Sequence, residues 1–178
     1  MKRIDKDITK AFTLPGSFYS SEDFFFKVKK DIFEKSWQLV THESNIKSEK
    51  DAFPFRFLDD FIKEPLFLVK NKDIDCFSNV CTHRGNLLLE EPCNIGKSIF
   101  CKYHGRRFDS CGKFLSMPET KDMQDFPSER DNLSKVSTKK WKQFIFASLE
   151  PSFPFDRLVN DIEARVGWMP IEDFSYRE

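Results

Sequence analysis

Two short segments carry residue types that bind metals: Cys81-Thr82-His83-Arg84-Gly85 and Cys101-Lys102-Tyr103-His104-Gly105, with seventeen residues between His83 and Cys101. Each offers one thiolate and one imidazole a few residues apart, donors that suit zinc and iron. Both segments lie between β-prone runs, where tight loops are expected. Two such loops closing on one centre would gather two sulfurs and two nitrogens. Each segment also ends on a glycine, and the expectation is a sharp backbone turn directly after each histidine.

Three explanations compete. Two cysteines and two histidines could fall in a core by chance. A structural zinc takes Cys2His2 ligands, but its usual arrangement pairs two cysteines closely and two histidines closely. Here each segment mixes the types. That mixing suits a two-iron cluster in which one iron takes both thiolates and the other both imidazoles. Chance and zinc stay open as the alternatives.

The elements that must position these loops are mostly strands. Trp37 to Thr41 reads as a strand, and Phe53, Phe55 and Phe57 alternate at period two, with Pro54 confining that strand to a sheet edge. Leu66 to Lys70 and Ile74 to Ser78 flank Asn71-Lys72-Asp73, the composition and length of a hairpin connection. A second hairpin is predicted at Arg107 to Leu115, turning near Asp109-Ser110-Cys111-Gly112, and further strands near Val136 and from Gln143 to Leu149. Helices stand at the ends. Phe24, Val28 and Ile32 recur at four-residue spacing behind a Ser/Glu/Asp start, predicting a helix over about 22 to 36. Leu158, Ile162 and Val166 share one face of a second helix, Phe155 to Val166. Before Ser21 the chain reads as an extended arm or turn around Pro15-Gly16.

Composition sets the class. The chain has 178 residues, 39% hydrophobic, with 29 Lys+Arg against 29 Asp+Glu and five cysteines, which fits one globular domain. A chain of this size buries roughly 70% of the surface its unfolded form exposes, so it needs no disulfide staples. Zero formal charge argues against a nucleic-acid partner, which calls for a concentrated positive field. Lys139-Lys140-Trp141-Lys142 reads as a solvated strand face. The start mixes both charge signs and apolar runs such as Leu66 to Val69 are short, so neither a leader nor a membrane span is expected and the cytoplasm is the expected compartment. There the cysteines are expected as thiols or metal ligands. The 21 phenylalanines supply large rings for a core and point to no function.

With these motifs, the chain resembles the Rieske domain of the aromatic-ring-hydroxylating (Rieske non-haem iron) oxygenases, α subunit. Besides the two Cys/His segments, Ile32 to Ser44 resembles that family's leading helix and first strand. Phe108-Asp109 with Gly112-Lys113-Phe114 and Met117-Pro118 resembles the hairpin after its second loop. The resemblance implies an antiparallel iron–sulfur sandwich, mostly β (α+β), with an N-terminal and a C-terminal helix. It implies a [2Fe-2S] cluster of Rieske type, with Cys81 and Cys101 on one iron and His83 and His104 on the other. The glycines would then let backbone N–H groups approach the bridging sulfides. Three segments are expected: an arm and helix over 1–36, the Rieske domain over 37–152, and over 153–178 a helix and the start of a catalytic domain.

Respiratory and photosynthetic Rieske proteins carry an extra cysteine in each loop, joined as a disulfide, where this chain has Asn86 and Tyr103. Rieske potentials span roughly −150 to +300 mV, and losing that pattern points to the negative or near-zero end. The family's second loop commonly continues with Trp after His-Gly, whereas Arg106-Arg107 stands here; a cationic pair beside the cluster could raise its potential or meet an acidic partner surface, but a solvated turn is the favoured reading.

Oxygen activation in this family resembles chemistry that needs a 2-His-1-carboxylate triad on a mononuclear iron. Only three histidines exist, and His42 alone remains after the cluster, so these residues cannot build that site. His42 is expected to pack or hydrogen-bond near the start of the sheet. Cys76, Cys93 and Cys111 lack a histidine at loop spacing and are expected as free thiols. The resemblance therefore implies an electron-transfer role, taking electrons from a reductase or ferredoxin and passing them to a mononuclear Fe(II) in a catalytic oxygenase domain, within a ring-shaped homo-oligomer. A stand-alone Rieske ferredoxin is the alternative, though such carriers are usually shorter and would not need the Trp37 segment or the helix at 155–166.

Overall fold

Leu66, Leu68 and Cys76 point to one side of a sheet, and Phe67, Val69 and Phe77 to the other; both sides are buried. This double burial explains the unbroken apolar run at Leu66 to Val69, because a strand covered on one face only would alternate. The computed structural model describes residues 4–120 and 122–175. In it a seven-stranded antiparallel sheet is built from β1 (Gln38–His42), β2 (Asp51–Phe57), β3 (Glu64–Lys70), β4 (Ile74–Ser78), β5 (Cys93–Asn94), β9 (Lys135–Trp141) and β10 (Phe144–Ser148), in the order β1-β10-β9-β4-β3-β2-β5. A small three-stranded sheet holds β6 (Ile99–Phe100), β7 (Arg107–Phe108) and β8 (Phe114–Ser116).

The expected hairpins are present. β3 and β4 pair from Leu66 with Ser78 to Lys70 with Ile74 across Asn71-Lys72-Asp73. β2 pairs with β3 along its length but with β5 only at Asp51 and Ala52, so Pro54 sits where the outer edge needs no donor. The β7–β8 turn closes at Gly112, whose φ of +77° requires a glycine-like conformation. Its N–H donates to the Asp109 carbonyl at 3.1 Å.

The two helices frame the sheet. In α2 (Glu22–Val28) the Ser21 Oγ accepts from the Phe24 N–H, while Glu22 and Asp23 favour the positive helix start. The helix ends earlier than position 36. It widens into a π-type turn over Lys29–Phe33, closed by Glu34 N–H donating to the Lys29 carbonyl, and breaks so that Trp37 can enter the core. The stretch before it, expected as an extended arm or turn, forms a helical turn, α1 (Gly16–Ser20). α3 runs from Phe155 to Val166 as expected, anchored by Phe155 against Trp37 at 5.2 Å between ring centroids. The Trp37 indole N–H donates to the Phe153 carbonyl.

Half of the Lys139–Lys142 run departs from a solvated face: Trp141 Nε1 donates to Glu163, and Lys142 pairs with Glu163 and Glu172. Among the described residues no helix is long and apolar enough to cross a membrane.

Candidate metal centre

The two Cys/His segments fold into loops with the same backbone frame. In the first, the Cys81 N–H donates to the Asn86 carbonyl (2.8 Å) and the Gly85 N–H to the Cys81 carbonyl (3.0 Å), with Val80 and Leu87 bridged across the base. In the second, the Cys101 N–H donates to the Arg106 carbonyl (2.8 Å) and the Gly105 N–H to the Cys101 carbonyl (3.0 Å), with Phe100 and Arg107 paired across the base. The shared spacing is therefore Cys to Gly, four residues, with φ of +70° at Gly85 and +73° at Gly105. The expected turn directly after each histidine holds only for His104. In the first loop Arg84 intervenes, and His83 sits one position earlier in the frame than His104 does.

Neighbouring elements hold the loops. Asn79, 2% exposed, clamps the return of the first loop: its side-chain amide donates to the Leu89 carbonyl and its Oδ1 accepts from the Leu89 N–H. Pro118 covers Gly105 so closely that a Cβ there would lie 3.2 Å from it, which gives Met117-Pro118 its place beside the second loop.

The four side chains converge in two pairs. Cys81 and Cys101 are each 2% exposed, and the Cys101 side chain is near enough to act on the Cys81 thiol. The rings of His83 and His104 meet edge to face, 4.8 Å between centroids, and both are only partly buried. The sulfur pair thus lies inward and the imidazole pair outward. Tyr103 stacks on His104 at 3.8 Å between centroids. Among the described residues no three His, Cys, Asp or Glu side chains gather as one ion would need, whereas a two-iron cluster asks each metal for only two protein donors.

The unsatisfied polar atoms test the fit. Among the described residues four buried side-chain nitrogens lack a partner: His83 Nδ1, His104 Nδ1, Arg106 Nε and His42 Nε2. Three of them belong to the paired loops. A buried nitrogen without a partner is destabilising by roughly 1–3 kcal/mol, so two ring nitrogens stranded side by side are donors held for something that binds there. The protonation states agree. Burial lowers the His83 imidazole below its ordinary value, helped by the adjoining His104 ring and by the Arg84 and Arg106 charges, which leaves the His83 ring neutral and able to ligate. Burial raises the Cys81 thiol, with the His83 backbone N–H and the Arg106 charge opposing it. A bound cation would reverse that balance and deprotonate the sulfur.

Arg106 is the principal correction to the sequence reading. It is 3% exposed, and no solvated turn. Its guanidinium donates to Thr82 Oγ1 in the first loop at 2.6 Å and to Asp131 Oδ1 at 2.8 Å, and lies over the rings of Phe114 and Phe126 at 5.0 and 5.6 Å. Thr82 Oγ1 in turn donates to the Asp131 carbonyl. Burial opposes ionisation of Asp131, but the Ser128 N–H, the Arg106 guanidinium and the Ser128 hydroxyl outweigh it and hold the carboxyl below its ordinary value. Only the Asp131 end had a readable signal: Ser128-Glu129-Arg130-Asp131 is a pattern in which an acid three residues after a serine caps a turn, and it marks the acid but not its arginine. Arg107, by contrast, is exposed.

The remaining candidates fall outside the loops. Cys76 is in the core, its thiol pushed up to about 12 by burial, while Cys93 and Cys111 are exposed; all five cysteines are free of disulfides. His42 ends β1 and caps the 3-10 turn Glu43–Asn45, its Nδ1 accepting from the Ser44 N–H, and its ring packs edge-on against Phe144.

Comparison with known proteins gives a consistent answer. The chain is 29% identical to the carnitine monooxygenase oxygenase subunit of Escherichia coli (strain K12) over 145 residues, covering 80% of this chain but 38% of that one. It is 29% identical to the benzene 1,2-dioxygenase subunit alpha of Pseudomonas putida over 133 residues, 73% of this chain and 29% of that one. Among solved structures, the quaternary ammonium Rieske monooxygenase CntA in complex with gamma-butyrobetaine superposes with a TM-score of 0.78 at 25% identity, over 88% of this chain and 45% of that one. Naphthalene 1,2-dioxygenase with indole bound superposes with a TM-score of 0.69 at 27% identity, over 85% of this chain and 33% of that one. The chain thus spans under half the length of these relatives. A family model for the Rieske [2Fe-2S] domain matches residues 36–127, more than half of the chain and both loops, and the chain belongs to that family.

Proposed function

We propose that Cys81 and Cys101 hold one iron of a Rieske [2Fe-2S] cluster and His83 and His104 the other, and that residues 37–152 form the electron-transfer unit of a ring-hydroxylating oxygenase. The observation that carries this reading is the pair of stranded Nδ1 atoms, His83 and His104, on adjoining rings above two buried thiols. A bound cluster supplies a one-electron redox centre whose potential the surrounding protein sets.

The chain's own residues do the rest. The double-faced wall of β3 and β4 and the frames of the two loops fix the sulfurs inward, where water is excluded. The histidines stand at the loop tips, so their rings offer the short route by which an electron enters from a reductase or ferredoxin and leaves for a mononuclear iron. That iron belongs to a catalytic domain beyond these residues, of which 153–178 would be the start, in a ring-shaped homo-oligomer acting in the cytoplasm. The likeness to oxygenase subunits over 80% of the chain supports this reading over a stand-alone ferredoxin. The docked Trp37 and α3, which a small carrier would not need, support it too. Whether the partner acts as a mono- or a dioxygenase lies with that catalytic domain.

The purified protein should contain two irons and two acid-labile sulfides per chain and give a Rieske electron paramagnetic resonance signal when reduced. His83→Ala or His104→Ala should abolish that signal. Zinc in place of iron and sulfide, or a signal that survives either substitution, would refute the ligand set.

A further inference from the structure

Arg106 joins three segments that are distant in sequence: Thr82 in the first loop, its own second loop, and Asp131 ahead of β9. A guanidinium buried to this degree needs both partners, because an isolated cation out of water is strongly unfavourable. Asp131 is in turn fixed by the N–H and hydroxyl of Ser128 at 2.8 and 3.1 Å, so the clamp has a rigid far end. The aromatic faces of Phe114 and Phe126 complete the seat. The pattern this chain resembles commonly has Trp here, a neutral ring with a single N–H donor that could not reach both partners or carry a charge.

We propose that Arg106 is a positioning and tuning residue: it locks the two ligand loops to each other and keeps a permanent positive charge beside the cluster, raising its reduction potential. This rests on the ligand reading above. Reduction adds one electron, and a nearby cation stabilises the added negative charge, so the reduced form gains. The guanidinium stays charged across the accessible pH range, which makes the bias constant. Asp131 acts with the opposite sign, as the counter-charge that moderates it.

The test is the midpoint potential of the cluster-loaded protein. Arg106→Gln and Arg106→Trp should lower it, shifting the reduced-to-oxidised ratio at fixed potential by about tenfold, or about 59 mV for one electron. Arg106→Lys should keep most of the potential but lose the fork that reaches Thr82 and Asp131 together, and so lose cluster more readily on warming. Asp131→Asn should raise the potential. Opposite signs for the two partners are what mere loosening of the loops cannot produce. If Arg106→Gln proves too unstable to load, the rise in Asp131→Asn decides alone. Potentials that stay unchanged, or that move in the same direction in both variants, overturn the inference while leaving the ligand set intact. A wild-type protein without the Rieske signal overturns the ligand set instead.

Discussion

In the middle of the chain β3 and β4 bury both faces, and the apolar side chains there are sealed: Phe67, Leu68, Val69 and Cys76 are each 0% exposed. At the two ends, the helices that flank the sheet leave much of their apolar surface in solvent. Phe25 is 51% exposed and Ile32 54%, and Phe155 is the only buried residue of α3, although Leu158, Ile162 and Val166 share a face. The polar atoms show the reverse. Among the described residues no buried side-chain nitrogen or oxygen of those helices lacks a partner, whereas three of the four stranded buried nitrogens cluster in the loops that the sealed wall supports. Rigidity has been concentrated where donors must be held without partners, and the apolar packing of the wall offsets what those donors lack.

Truncating an apolar side chain in each region gives the largest contrast. Phe67→Ala opens a cavity in the shared wall, for which about 3–5 kcal/mol of lost stability is expected. Ile32→Ala removes a half-exposed side chain and should change stability by under about 1 kcal/mol. Chemical denaturation of both variants checks this. Comparable losses would mean that the terminal helix is a true part of the core, and the contrast would fall.

The same division governs how much could be read from the sequence. The wall was legible because a continuous apolar run bounded by Asn71-Lys72-Asp73 has few other interpretations. The loops were legible because Cys and His at short spacing twice over is rare, and the four named donors do come together in the fold. The α3 boundaries were legible from the spacing of Leu158, Ile162 and Val166. Arg106 was not. An arginine after His-Gly carries no local mark of burial, and its partner Asp131 lies twenty-five positions away, joined only by the tertiary fold. The end of α2 was missed for a similar reason: periodicity continues past Phe33, but the helix yields to the burial of Trp37, a long-range demand. The frame shared by the two loops was hidden because their histidines sit at different offsets from their cysteines.

A smaller contrast lies within the middle itself, between two glycines of positive φ. At Gly112 a Cβ would lie 2.7 Å from a ring carbon of Phe77, on the sealed wall; at Gly96 nothing stands within 4 Å. Gly96→Ala should therefore show only the conformational penalty, about 1 kcal/mol. Gly112→Ala adds overpacking, for a total of roughly 2–4 kcal/mol. Because Phe77 supports the core beneath Cys81 and Cys101, the Gly112 variant should also bind its cluster less firmly, visible as faster bleaching of absorbance in chelator. Equal losses at both glycines would show that the ring yields and that the wall is softer than its burial implies.

The smallest effect belongs to the ends. Lys142 bridges Glu163 of α3 and Glu172 beyond it. The Glu172 carboxyl is held below its ordinary value of 4.5 by its own backbone N–H and then by Lys142. The hydrogen bond that Lys142 donates to Glu172 is the leading cause that raises Lys142 above 10.5. A carboxyl lower in the folded than in the unfolded chain stabilises above the unfolded value and loses that contribution as pH falls through the folded one. The lysine's contribution is present below 10.5 and is lost as pH rises through its raised value. The bridge thus acts across neutral pH and fades first on the acid side. The Glu172 carboxyl is exposed to water, which screens the pair, so the gain is slight. Glu172→Gln should accordingly leave the melting temperature almost unchanged at pH 7 and flatten its decline between about pH 5 and 3. A large drop at pH 7 would show that this bridge, and with it the docking of α3, matters to the fold as much as the wall does.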